Sequence, residues 1–404
     1  MSFVIKFKKT FHITFWEALI ALIAITTFFI LQAVFHGEYH LWLIIMGFIV
    51  GIWLAFRPSE WAVVGLNSGA KYVGLSEYVA GILSSLASNL PEAVIAIILI
   101  TQPKPQVLTA VVTVLSAAGF NAIILGIAII IATVKNKGSI AVPEDLKKKE
   151  APIIRWAIVA LTMTVVFGFS EYFQLLGSGR ALTEAILTVP VAAMLAGSYL
   201  FYLIYIIAVK DNNKKMSIKD KEDIEQTLNP EKEEAENEEK THDHEAHGKL
   251  SIPMTLVFLV LGFVGIYFGG HTLTESVQQL IPVTDSMTNS QIITTAFILG
   301  AAGAIPEHGI AIISAAKDEV EVGIGNAMGG ILQSALLIFG FLGIISVVTL
   351  HPFILLQMSA IAGVLWFVKR CIQDGRFDTF EGIMIILVQI IVFIILFEDI
   401  ALFP

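Results

Sequence analysis

Apolar residues dominate this chain in long, nearly unbroken runs, with polar residues gathered between them. Runs such as Leu41–Phe56 and Ile383–Phe397 approach the roughly 20 residues that a helix needs to cross a bilayer core. Eleven spans fit, at about 11–34, 39–56, 75–101, 106–134, 152–176, 181–209, 252–280, 289–316, 320–349, 353–370 and 380–402. The pattern therefore predicts an all-α polytopic membrane protein. Lys6, Lys8 and Lys9 precede the first span as in a signal peptide, but no small-residue cleavage site follows. That span reads as a retained helix.

Charge orients these spans. With the N-terminus inside, 23 of the 25 Lys and Arg residues fall in cytoplasmic segments, leaving only Lys104 and Arg180 outside. Such a bias supports both the number of spans and their direction. It places the N-terminus and the segment 211–249 in the cytoplasm and the C-terminus outside, across a prokaryotic plasma membrane. Composition agrees: 56% of residues are apolar and 15% charged, against about 25% charged in soluble domains. The single cysteine, Cys371, excludes an internal disulfide and any cysteine-based metal cluster.

The segment 211–249 has no hydrophobic period. It carries the acidic run Glu231 to Glu239, then His242, Asp243, His244, Glu245 and His247. This composition predicts a solvated linker, with Zn²⁺ binding or Ca²⁺ sensing by the histidine–acid cluster as the alternative; its spacing is not that of a metalloprotease helix. The linker divides the chain into an N-terminal helix (1–36), a first five-helix unit (37–210) and a second five-helix unit (250–404).

The two units are related. Pro91-Glu92-Ala93-Val94-Ile95-Ala96-Ile97-Ile98 matches Pro306-Glu307-His308-Gly309-Ile310-Ala311-Ile312-Ile313 at six of eight positions, 215 residues apart. Both stretches lie in the second span of their unit. A tandem unit with an odd number of spans inserts upside down, so Glu92 and Glu307 approach the membrane centre from opposite sides. Inverted repeats with matching helix breaks mark a transporter's binding site.

A carboxylate within a span costs roughly 2.5–3.5 kcal/mol to insert and is usually functional. Each of these two follows a proline, which removes a backbone donor and frees a carbonyl one turn back. Small residues precede both, in Ser84-Ser85-Leu86-Ala87-Ser88-Asn89 and Gly300-Ala301-Ala302-Gly303-Ala304, permitting close helix approach. Carboxylate and carbonyl oxygens at one depth suit a hard divalent cation, with Ca²⁺ favoured over Mg²⁺ by flexible coordination. The next span of each unit adds Ser116 and Asn121 in the first, and Asn326, Gln333 and Ser334 in the second. A polar amide in an apolar span needs a partner, so Asn121 and Gln333 are expected to face the site. For Asn326, near the cytoplasmic end, a structural cap is an equal reading.

These motif pairs resemble the two α-repeats of the Ca²⁺/cation antiporter superfamily. Glu307-His308, Lys317-Asp318-Glu319 and Gly329-Gly330-Ile331-Leu332-Gln333-Ser334-Ala335-Leu336 are closest to its Ca²⁺/H⁺ exchanger branch. The prolines of Leu90-Pro91-Glu92 and Ile305-Pro306-Glu307 resemble the Na⁺/Ca²⁺ branch instead. The hydroxyls paired there for Na⁺ are reduced to Ser88 in the first half, and are replaced by Gly303-Ala304 in the second. The resemblance implies a non-enzymatic antiporter without cofactor that exchanges Ca²⁺ for H⁺, with Na⁺ as the alternative counter-ion and a cation channel as a weaker one. The expected ion ligands are Glu92, Glu307, Ser88, Asn89, Asn121 and Gln333. His308 would act with the two glutamates on protons, and Ser85, Ser116, Asn326 and Ser334 would be supporting polar groups. The partners are the transported ions and the lipid bilayer, not nucleic acid; the oligomeric state stays open, a homo-oligomer included.

Overall fold

The computed structural model describes residues 13–35, 40–73, 86–143, 146–178, 186–205, 250–283, 287–317 and 319–398, except seven side chains within them, among them that of Glu307. The first half contains α1 (Phe15–Val34), α2 (Leu41–Tyr72), α3 (Leu90–Thr101), α4 (Val107–Lys135), the strand β1 (Ser139–Ala141), α5 (Ala151–Ser178) and α6 (Val189–Tyr205). The second contains α7 (Ile252–Leu280), α8 (Asn289–His308), α9 (Ile310–Ala316), α10 (Val320–Leu332), α11 (Phe339–Ile345), α12 (Pro352–Asp374), β2 (Arg376–Asp378) and α13 (Thr379–Glu398).

The chain is an all-α polytopic membrane protein. Among the described residues, eight helices are long and apolar enough to cross a membrane, or nine when the bent pair α8–α9 is taken as one span. α3 and α6 are shorter apolar helices. The segment 211–249, with its histidine and acid cluster, lies outside the described residues, as does Ser85.

The second span departs from its expected end near Phe56. α2 continues to Tyr72, because the polar residues that seemed to close it are satisfied within the fold. Arg57 Nε donates to Glu17 Oε1 of α1 at 2.8 Å, and its Nη1 reaches Glu60 Oε2 at 2.8 Å. Mutual neutralisation lets the helix run on with Pro58 inside it.

α2 lies along α7, α4 along α10, and α5 along α12. α4 also packs on α13, and Gly340 of α11 sits against Ala192 and Ala196 of α6. Small residues set the α2–α7 seam, where Gly262 meets Ala62, Gly265 meets Pro58 and Gly269 meets Ala55. Such residues bring helix backbones close where lipid offers no hydrophobic drive for association. Outward faces are apolar, with Val159, Met163 and Val166 of α5 and Leu256 and Val260 of α7 exposed.

Two short extended contacts tie the halves together. Residues 139–141 pair antiparallel with 376–378, joining the loop after α4 to the loop before α13. Ile186 bridges Thr349, joining the loop before α6 to the loop after α11. The first is reinforced by a hydroxyl pair, Thr133 with Thr379 at 2.9 Å, and by reciprocal capping between Asp378 and Glu381.

Candidate functional site

Glu92 sits in the first turn of α3, immediately after Pro91 at the helix start. The single turn before it, residues 86–88, is separated from α3 by a break at Asn89. The expectation of a broken helix holds here: a proline at the first turn needs no donor and begins a helix easily. The second half differs. α8 runs through Pro306 to His308, and the break comes at Gly309, after the glutamate rather than before it. The two segments meet at a 41° bend. Gly309 carries no side chain, and its N–H returns to the Ile305 carbonyl at 2.8 Å, which closes α8 one residue past its last histidine.

Glu92 is 2% exposed. The Ser334 hydroxyl donates to its Oε2 at 2.5 Å. Ser334 is the second residue of a π-helical segment, Gln333–Ile338, and π turns inside α-helices occur often at functional sites. Asn121 of α4 lies beside the same carboxylate. Neither polar atom of Asn121, nor Glu92 Oε1, makes a well-formed hydrogen bond among the described residues, and all three atoms are buried. Gly303 of α8 backs the glutamate; a Cβ there would stand 3.1 Å from Glu92 Cγ.

A second chain of polar groups joins this one. Asn89 Nδ2 donates to Gln333 Oε1, and Asn89 Oδ1 lies 3.1 Å from His308 Nε2. An amide oxygen only accepts, so Nε2 carries the proton in this pair. His308 is fully buried, and its Nδ1 makes no well-formed hydrogen bond, although Asn326 lies against the ring. Every one of these side-chain ties crosses between the halves: Asn89 with His308 and Gln333, and Glu92 with Ser334.

The structure thus brings Glu92, Asn89, Asn121, His308, Gln333 and Ser334 together at the crossing of α3, α4, α8 and α10. Ser88 is buried one residue before Asn89. Ser116 is also buried, but it packs at Gly300 of α8. Asn326 is half-buried. The Glu307 backbone lies in the last turn of α8.

Sequence reasoning passed over Gln357 and Gln389. Both are fully buried; Gln389 Nε2 donates to Gln357 Oε1 at 3.2 Å, and Gln357 Nε2 to the Leu115 carbonyl at 3.1 Å. Their signal was the one that marked Gln333, an amide inside an apolar span. No group of three or more His, Cys, Asp or Glu side chains placed to hold a metal ion occurs among the described residues.

The profile of the sodium/calcium exchanger protein family matches residues 39–208 and 254–397, most of the chain and both repeats. The chain belongs to that family. Solved exchangers share the fold. An H⁺/Ca²⁺ exchanger, CAX, is 11% identical with a TM-score of 0.58, over 95% of this chain and 93% of its own. A Ca²⁺/H⁺ antiporter, YfkE, is 14% identical with a TM-score of 0.59, over 94% and 99%. A sodium-calcium exchanger, NCX_Mj, is 16% identical with a TM-score of 0.53, over 87% and 98%. Comparison with curated proteins gives no match. The chain is thus a multi-pass exchanger of the Ca²⁺/cation antiporter superfamily, a family of transporters.

Proposed function

We propose that the chain exchanges Ca²⁺ for H⁺ by alternating access to one site built from Glu92 and Glu307. The observation that carries this reading is the Glu92 carboxylate, fully enclosed beside the Asn121 amide, with Oε1 and both polar atoms of that amide making no well-formed hydrogen bond among the described residues. Buried polar atoms are almost always satisfied; convergent unsatisfied oxygens suit a cation that supplies what the fold does not. Asn89, Asn121, Gln333 and Ser88 complete the proposed ligand set, with Glu307 entering from the symmetry of the repeat.

Charge balance supplies the coupling. One Ca²⁺ or two protons neutralise the same pair of carboxylates, so either load makes the site neutral, whereas the empty ionised pair is costly to carry through a dry barrier. The two loads use the same oxygens and exclude each other, which turns two transport events into an exchange. His308, bonded through Asn89 to Gln333, would pass protons to and from the site. The N-terminus and the segment 211–249 would face the cytoplasm and the C-terminus the outside of a prokaryotic cell.

Exchange for Na⁺ is the second reading, favoured by the prolines before both glutamates and by the likeness to NCX_Mj. Radioactive Ca²⁺ uptake into proteoliposomes, with pH and Na⁺ gradients imposed separately, tests both. Uptake driven by a pH gradient in Na⁺-free medium is expected; uptake that requires Na⁺ overturns the first reading in favour of the second.

A further inference from the structure

Between the turn Leu146–Glu150 and the start of α10 lies a cavity of about 490 Å³, lined by Pro143, Leu146, Glu150, Glu321, Gly325 and Asn326. Glu321 and Val322 at its edge are exposed, so the cavity opens to solvent. It stands on the side of the protein where Lys135 of α4 caps the end of α9 through the Ala316 carbonyl at 2.9 Å. None of its carboxylates belongs to the site described above. Its inner wall does lead there.

Asn326, Gly330 and Ser334 follow at four-residue steps, which puts them close to one line along α10 and into the π turn. Each meets a successive part of the site. Asn326 lies against the His308 ring. A Cβ at Gly330 would stand 2.5 Å from Asn121 Nδ2 and 2.7 Å from His308 Cε1. Ser334 donates to Glu92. The line therefore starts at an open cavity and ends on the buried carboxylate, and its middle position is the residue with the smallest side chain.

We infer that this face of α10 is the wall of the access route to the ion site, with Asn326 at the mouth and Gly330 at the constriction. The inference rests on Glu92 being an ion ligand. Glu150 and Glu321 raise the local cation concentration at the mouth, as like charges lining a cleft do. Asn326 presents a neutral amide oxygen, which can take the place of a water on a passing cation without holding it. At Gly330 the backbone lies so close to His308 and Asn121 that even a Cβ must push one of them aside, so any side chain there obstructs the narrowest point of the line.

The test uses the full chain with Cys371→Ala, reconstituted, carrying Asn326→Cys, Ile324→Cys or Lys137→Cys. Ile324 is fully buried on the same helix, and Lys137 is exposed beyond the end of α4, which marks the side. A membrane-impermeant methanethiosulfonate reagent is applied from each side in turn. Asn326→Cys is expected to react at least about 10-fold faster than Ile324→Cys, and from the same side as Lys137→Cys. Reaction no faster than Ile324→Cys, or only from the opposite side, overturns the route. In a second arm, Gly330→Ala, whose Cβ must displace Asn121 or His308, is expected to slow Ca²⁺ flux at least about 10-fold; parental flux overturns the constriction. Labelling requires no transport, so a chain that labels as expected yet carries no Ca²⁺ refutes the proposed exchange and not the route.

Discussion

Glutamine has the shape of glutamate without its charge, so Glu92→Gln isolates what the carboxylate contributes. Ser334 donates to Oε2 at 2.5 Å and can donate equally well to an amide oxygen at that place, which keeps α3 tied to the π turn. At the position of Oε1 the substitution puts an amide N–H₂, a donor pointing where a cation needs an acceptor. Breaking a buried charge pair by removing one partner costs about 3–5 kcal/mol, and each 1.4 kcal/mol is tenfold in affinity. Ca²⁺ affinity should therefore fall by roughly two to four orders of magnitude while folding is retained. The assay is radioactive Ca²⁺ uptake into proteoliposomes across a range of Ca²⁺ concentrations, with size-exclusion chromatography establishing that the variant is intact. An intact Glu92→Gln protein with half-saturation within threefold of the parent would refute the reasoning. Glu307→Gln is expected to lower affinity likewise, because the proposed site needs both carboxylates to balance one Ca²⁺.

Asn89→Ala removes both the contact to His308 and the bond to Gln333; at about 0.5–1.5 kcal/mol for each hydrogen bond, Ca²⁺ half-saturation should rise about 10-fold, and an unchanged value would count against the linked amides. Gly119→Ala sets a Cβ 2.5 Å from the amide nitrogens of Gln357 and Gln389, an overpacking that costs about 1–3 kcal/mol; the thermal midpoint in detergent should drop, and an unaltered midpoint would mean the two glutamines move aside freely. Burial holds the His351 imidazole, at the cap of α12, down at about 4. Its neutral Nδ1 accepts from the Phe353 N–H at 3.3 Å, and the unfolded chain takes up a proton near pH 6.5. The contribution is full above about pH 6.5 and is lost as pH falls toward 4, by at most about 3 kcal/mol. Thermal midpoints measured from pH 7 to pH 4 should therefore fall less steeply in His351→Gln; equal slopes would contradict this.

Helices such as Ile252–Leu280 and Val107–Lys135 were legible almost to the residue, because the cost of exposing backbone to lipid leaves uniform apolar runs no other form. Polar residues misled the reading where partners come from elsewhere in the chain. Arg57 looked like the end of a span and is an internal ion pair, since nothing in its neighbourhood reveals Glu17, forty positions back. Pro306 marked a break correctly in kind and wrongly in place, for the helix yields at Gly309, where no side chain resists bending. Asn121 and Gln333 stood out as lone amides in apolar surroundings, whereas Gln357 and Gln389 carried the same signal without a motif beside them. Three-residue strands such as 139–141 have too short a period to be seen, and their partners lie more than two hundred residues away.

The unequal breaks at Asn89 and Gly309 have a consequence for how such a protein moves. Two halves of one design hold two different local shapes, one yielding before its glutamate and one after. Under the proposed exchange, an arrangement in which each half adopted the other's shape would use the same kinds of contact. Swapping the two shapes would then carry an opening from one face of the membrane to the other, and the difference between the halves would be the moving part.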